Sequence, residues 1–244
     1  MTAGVAEFAI ARAQASPAVN LHGIHAHIGS QVFAVDSLRK SAAVLADIAS
    51  KYELPELSVG GGLGVPYVGS EEAPTIAQWG HAVREAIRAT GFEAKVLAEP
   101  GRSIVATAGM TVYTVGTIKH LDDIRTYVAV DGGMSDNPRP VLYGSGYECF
   151  VATRAGLDRP DSARIVGKHC ESGDIIVRDA AIPADLAVGE LLVTPVTGAY
   201  GHSLASNYNK VARPAVVFVS QGHARLVVRR ETLDDLVRLD VIEP

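Results

Sequence analysis

A chain of 244 residues, 48% hydrophobic and 20% charged, has the balance of a globular protein with room for one large domain or two modest ones. A net charge of −5 argues against a general nucleic-acid or membrane-surface binder, and no stretch approaches the roughly 20 apolar residues of a membrane helix. The N-terminus has no basic segment ahead of its apolar part, so it does not read as a secretory signal, and two cysteines make no disulfide framework, so a cytoplasmic setting is expected.

The first 110 residues alternate between helix and strand patterns. Residues 2–15 have helical composition and stop before Ser16-Pro17. Residues 21–27, LHGIHAH, read as a strand, and 37–52 as a helix with Asp36 or Ser37 as its N-cap. Residues 56–60 read as a short buried strand running into glycines. Residues 75–90 read as a helix stopped by Gly91, and 95–98 as a third strand. This βαβα order implies parallel strands with crossover helices. Beyond about residue 110 strand patterns dominate: MTVYTVGTI, TYVAVD, YECFVATR, DIIVRD, ELLVTPV, and the pair PAVVFVS and HARLVVRR joined by Gln221-Gly222, a good hairpin turn. A short helix over 231–238 closes the chain. The expected domains are therefore an α/β part over 1–110 and a β part over 111–244.

Each early strand is followed by a polar cluster: HIGSQ, then GGGLG, then EPGR. Ligands of α/β folds bind at the C-terminal ends of parallel strands, so the three clusters converge if the strands are neighbours. A whole eight-stranded barrel takes roughly 250 residues. Three βα units fit either a small open sheet or the last part of a barrel.

Read residue by residue, each motif has a plain explanation and a chemical one. Glu99 and Arg102 around Pro100-Gly101 make either a surface ion pair or a site for a ligand with two charged ends. Gly60-Gly61-Gly62-Leu63-Gly64 is either a turn or a phosphate cradle of bare amides. His22, His25 and His27 lack the further ligands that a metal site wants, so no metal is expected and a histidine at a strand end packing on a ligand is the better reading. DGGMSDNPRPVLYG is either a loop with an incidental arginine or, with Arg139 and Tyr143 on one face if the segment is helical, an anion clamp beside a phenol. In KHCESGD, Cys170 is either structural and inert or, with Lys168 and His169 close in sequence, a thiol of lowered pKa that acts as an acid. GAYGHSLASNYN puts Tyr200 in a loop too unusual for a plain β connection.

In that order these motifs resemble the pyridoxal-phosphate-dependent decarboxylases of the alanine-racemase-like fold, over about residues 21–238. KHCESGDII and GAYG…SNYN resemble the branch acting on meso-2,6-diaminopimelate rather than on ornithine or arginine. The resemblance implies the last strands of a (β/α)8 barrel followed by a C-terminal domain like a β-sandwich or β-barrel. It implies pyridoxal 5′-phosphate as cofactor and decarboxylation of diaminopimelate to L-lysine. It places Glu99 at the pyridine nitrogen, His27 on the ring, and Ser30, Gly61, Gly62, Gly101 and Arg102 on the phosphate side. Arg102, Arg139 and Tyr143 would hold the anionic end of the substrate, and Tyr200 would touch cofactor and substrate. A homodimer with shared sites is implied, in which Cys170 is the proton donor and Glu171 pairs with a substrate ammonium.

The family's Schiff-base lysine follows an early barrel strand in a Tyr-x-x-Lys-Ala-like motif. None of Lys40, Lys51, Lys95, Lys119, Lys168 and Lys210 does so. The expectation is the C-terminal part of such an enzyme, inactive alone. Two alternatives stand beside it. One is a non-catalytic module of this fold that docks on relatives. The other is a decarboxylase acting on ornithine, lysine or a carboxypolyamine.

Overall fold

The computed structural model describes residues 4–93 and 95–241. The chain divides into two compact units, 1–106 and 107–244. The fold class is the expected one, α/β plus β: strands and helices of a barrel type, then a separate sheet domain.

In the first unit, helix α1 (Val5–Gln14) precedes three short strands, β1 (Gly23–His25), β2 (Glu56–Ser58) and β3 (Lys95–Leu97). The strands are parallel in the order β1-β2-β3, and their register lines up His25, Ser58 and Leu97 in one row. Helices α2 (Val35–Lys51) and α3 (Ile76–Ala89) make the crossovers. α2 buries Leu38, Ala42, Leu45, Ala46 and Ala49, a spacing of three and four that forms one apolar stripe. α3 answers with Trp79, Val83 and Ile87, and both pack against the fully buried Leu57 of β2. α3 starts on a capping box, in which the Thr75 hydroxyl takes the Gln78 amide and the Gln78 side chain takes that of Thr75. It ends before Gly91, whose φ of 77° is the left-handed conformation that glycine tolerates. The expected cap of α2 is corrected. Its N-cap is Ala34, and Asp36 lies in the first turn, ion-paired with Arg39 and Lys40.

In the second unit a six-stranded sheet has the order β6-β9-β4-β5-β7-β8. Its strands are β4 (Met110–Leu121), β5 (Arg125–Val130), β6 (Phe150–Val151), β7 (Asp161–Val166), β8 (Ile175–Ile182) and β9 (Leu191–Pro195). All neighbours are antiparallel except β5 and β7. β4 pairs with β9 at its start and with β5 at its end, with a register shift at Gly116. The core holds Val115, Val128, Ile165, Ile176, Val177 and Leu192, all under 3% exposed. A separate hairpin joins β10 (Val216–Ser220) to β11 (His223–Val228). Its turn residues Gln221 and Gly222 both have positive φ, as a type I′ hairpin turn requires. Among the described residues no helix is long and apolar enough to cross a membrane.

Two strand expectations need correction. Only Phe150–Val151 of YECFVATR is strand, because residues 152–154 turn into a 3-10 helix. β7 was not anticipated. Its DSARIV carries too few large apolar residues to announce itself, and alternate burial of Ala163 and Ile165 makes it a strand.

Candidate active site

The three polar clusters all follow the C-terminal ends of β1, β2 and β3. Glu99 comes two residues after the end of β3. Its Oε1 accepts the Ser58 hydroxyl at 2.9 Å and lies 3.3 Å from His25 Nε2. The row His25–Ser58–Leu97 explains this, since the next position on the face of Leu97 is Glu99. The sequence singles out His25 only within the histidine cluster, not as a partner of Glu99, and it does not single out Ser58. The signal was present as a polar residue ending each of two adjacent strands. More than half of the Glu99 side chain stays exposed, and both contacts fall on one oxygen.

Arg102 sits in helix α4 (Gly101–Val105) and is 7% exposed. Its guanidinium donates to the Tyr67 hydroxyl at 2.5 Å and to the Ser30 hydroxyl at 2.7 Å. It therefore ties the loop after β1 to the segment after β2. Tyr67 was not foreseen from sequence.

The glycine loop is narrower than bare amides would suggest. Gly60 N–H donates to the Ser58 hydroxyl, Gly61 N–H to His27 Nδ1 and Gly64 N–H to the Val32 carbonyl. The loops pass so close that a Cβ on Gly61 would lie 2.1 Å from the Glu99 carbonyl oxygen, and one on Gly62 2.1 Å from that of Gly29. Gly62 also has φ of 93°. Close backbone approach thus requires glycine here whether or not a ligand is bound. His27 lies beyond β1 and is fixed by the Gly61 amide.

In the second unit, helix α5 (Arg139–Tyr143) places Arg139 and Tyr143 on one face, with the guanidinium carbon 5.1 Å from the ring centre. Arg139 is 4% exposed and donates to Ser145 at 3.0 Å, whereas Tyr143 is largely exposed. The loop before α5 is fastened to KHCESGD by a buried carboxylate that was not a candidate. Asp174 takes the Met134 amide at 2.6 Å and the His169 amide at 2.8 Å. Gly133 and Gly167 make room for it, since a Cβ on Gly167 would lie 2.2 Å from its oxygen. Asp136 caps the Gly133 amide, and burial raises its pKa.

Cys170 is exposed, but His169 is not beside it in the way the sequence suggested. The ring is turned inward, 8% exposed, with Nε2 2.8 Å from the Ser135 hydroxyl. Glu171 accepts a hydrogen bond from the phenol of Tyr208. Cys149 is buried and its thiol is pushed up to about 12, chiefly by burial. Tyr200 precedes helix α6 (Gly201–Leu204) with φ of 64°, a left-handed non-glycine conformation, and is about half exposed.

Residues 67–198 match the family model described as pyridoxal-dependent decarboxylase, C-terminal sheet domain, and residues 2–106 that of the pyridoxal binding domain. The chain belongs to the pyridoxal-dependent decarboxylases. It is 45% identical over 236 residues to the diaminopimelate decarboxylase of Synechocystis sp., which covers 93% of this chain and 50% of that protein. It is 44% identical to that of Mycobacterium tuberculosis, covering 99% of this chain and 58% of the relative. Among solved structures, the diaminopimelate decarboxylase of M. jannaschii matches with a TM-score of 0.89 at 30% identity, over 99% of this chain and 56% of that one. That of Helicobacter pylori complexed with L-lysine matches with 0.86 at 31%, over 96% and 59%. The chain thus spans about half the length of the curated relatives it matches.

Proposed function

We propose that these residues belong to a pyridoxal-phosphate-dependent decarboxylase that converts meso-2,6-diaminopimelate to L-lysine and CO2. The observation that carries the reading is Glu99, an accessible carboxylate at the C-terminal edge of a parallel sheet, oriented through one oxygen by Ser58 and His25. Such a group suits a pyridine nitrogen, and the Gly61–Gly62 loop packed against the backbone of Glu99 and Gly29 would lie on the phosphate side. Pyridoxal phosphate, when bound, supplies the electron sink for the carbanion left by loss of CO2.

The chain's own residues then take these parts. Glu99 would keep a proton at the ring nitrogen. His27, held by the Gly61 amide, would stack on the ring, and Ser30, Gly101 and Arg102 would stand on the phosphate side. Arg139, stacked on Tyr143, holds a substrate carboxylate, and Tyr200 contacts cofactor and substrate. Cys170 delivers a proton, and Glu171 pairs with an ammonium in the site of a second copy of the chain. The relatives named diaminopimelate decarboxylase, and the L-lysine held by one solved relative, support this substrate over ornithine.

Lysines of the first unit lie away from that edge. Lys40 pairs with Asp36, Lys51 with Glu7, and Lys95, at the start of β3, with Glu56. The chain alone is therefore expected to release no CO2 from diaminopimelate. The test is a chimera in which these residues replace the matching half of a relative. It should form L-lysine from meso-diaminopimelate and leave ornithine and lysine untouched. Preference for either of those would overturn the substrate. In the chimera, Arg139→Ala should lower kcat/KM for diaminopimelate by about ten- to a hundredfold, the effect of one charge-assisted contact, with cofactor affinity kept.

A further inference from the structure

We infer that Tyr208 is a positioning residue for Glu171, holding that carboxylate so that it meets a cationic ligand beside Cys170. The inference rests on the reading of Glu171 as an ammonium partner. It goes further by assigning a role to Tyr208, a residue of the SNYN motif to which the resemblance assigns none.

Tyr208 belongs to a short 3-10 turn, Tyr208–Lys210, in an otherwise irregular segment. That segment is built to stay still. Ser206 N–H donates to the Ser135 carbonyl at 2.9 Å. Asn207 donates to Glu231 at 2.5 Å, and Arg213 grips the same carboxylate with two guanidinium nitrogens at 2.8 and 2.6 Å. Asn209 and Lys210 both have φ of 54°, consecutive left-handed residues without glycine, a conformation that persists only where the surroundings impose it. The ring of His169 meets that of Tyr208 edge to face at 5.3 Å, and His169 is itself anchored on Ser135. The ring is therefore fixed from its own loop and from one neighbour, while the phenol points out to Glu171.

Both side chains are exposed, so a flexible glutamate there would sample many rotamers. A phenol donating to Oε1 selects one and leaves the charge on the carboxylate. The bond to Glu171, with its negative charge, raises the pKa of Tyr208, the direction expected of a phenol that donates to a carboxylate.

The experiment uses the 244-residue chain and two methanethiosulfonates, one bearing a trimethylammonium and one neutral. Cys170 is exposed and Cys149 buried, so peptide mapping should find one reacting thiol. Each rate is normalised to the same reagent reacting with β-mercaptoethanol. A fixed carboxylate next to the thiol should favour the cationic reagent by about fivefold. Glu171→Gln should bring the ratio close to one. Tyr208→Phe should lower it most of the way to the Glu171→Gln value, with the neutral rate unchanged. If Tyr208→Phe keeps the wild-type ratio while Glu171→Gln loses it, the role of Tyr208 is overturned and that of Glu171 stands. If Glu171→Gln also keeps the ratio, both are overturned. A Tyr208→Phe chain in which both reagents accelerate together has a disordered loop, and that too overturns positioning.

Discussion

At the scale of single residues, the glycine loop separates two reasons for a glycine. Gly61 has an ordinary φ but no space, because its missing Cβ is where the Glu99 carbonyl sits. Gly101 has neither constraint and opens α4, with nothing near a Cβ. Gly61→Ala should therefore destabilise the chain by about 1–3 kcal/mol, the range for forcing atoms into packed space. Gly101→Ala should be neutral or stabilising by up to about 1 kcal/mol, as helix propensity dictates. Thermal and urea unfolding of both variants checks the contrast, and equal losses would contradict it. The same contrast shows what a sequence carries at this scale. GGGLG announces an unusual backbone, but it does not say that three of its amides are already taken inside the protein. EPGR announces a carboxylate at a strand end, yet its partners His25 and Ser58 depend on a register that only paired strands define.

At the scale of elements, what was legible followed periodicity and punctuation. The amphipathic stripes of α2 and α3, the stop at Gly91 and the Gln221-Gly222 turn are local, and each appears within about two residues of its expected place. What was not legible depends on distant contacts. β7 has little apolar character and pairs between β5 and β8 across the chain. The segment 206–213 looks like a loop in sequence, and its order comes from Glu231, about twenty residues on. That anchor has a pH signature. Arg213, bonded to Glu231, holds the carboxyl down at about 2, against an ordinary value of 4.5. A depressed folded-state pKa contributes stability that is complete above 4.5 and is lost as pH falls toward about 2. Thermal unfolding of the chain and of Glu231→Gln should differ most above pH 4.5, with the gap closing on acidification through that window. A gap independent of pH would show that Glu231 acts only through packing and neutral hydrogen bonds.

At the scale of the whole molecule, the sheet of the first unit decides how this chain behaves in solution. β1 and β3 are its two outer strands among the described residues, so each has one edge without a named strand beside it. β3 is exposed along its length, with Val96 and Leu97 about 40% open, and Ile104 and Val105 of α4 are similarly uncovered. Parallel strands are normally buried on both faces and flanked on both sides, because open edges offer a row of backbone donors and acceptors to any other chain. Among the described residues β3 has neither protection, and its apolar side chains add a favourable burial term to such pairing. The isolated chain should therefore self-associate in a concentration-dependent way, visible in light scattering and sedimentation. Leu97→Lys should weaken that association without unfolding α2 and α3, whose core against Leu57 lies on the inner strand. A monodisperse monomer that melts cooperatively at high concentration would show that this edge is covered by something else in the chain. Association unchanged in Leu97→Lys would move the sticky surface elsewhere, to the hairpin where Phe218 and Val219 are also open.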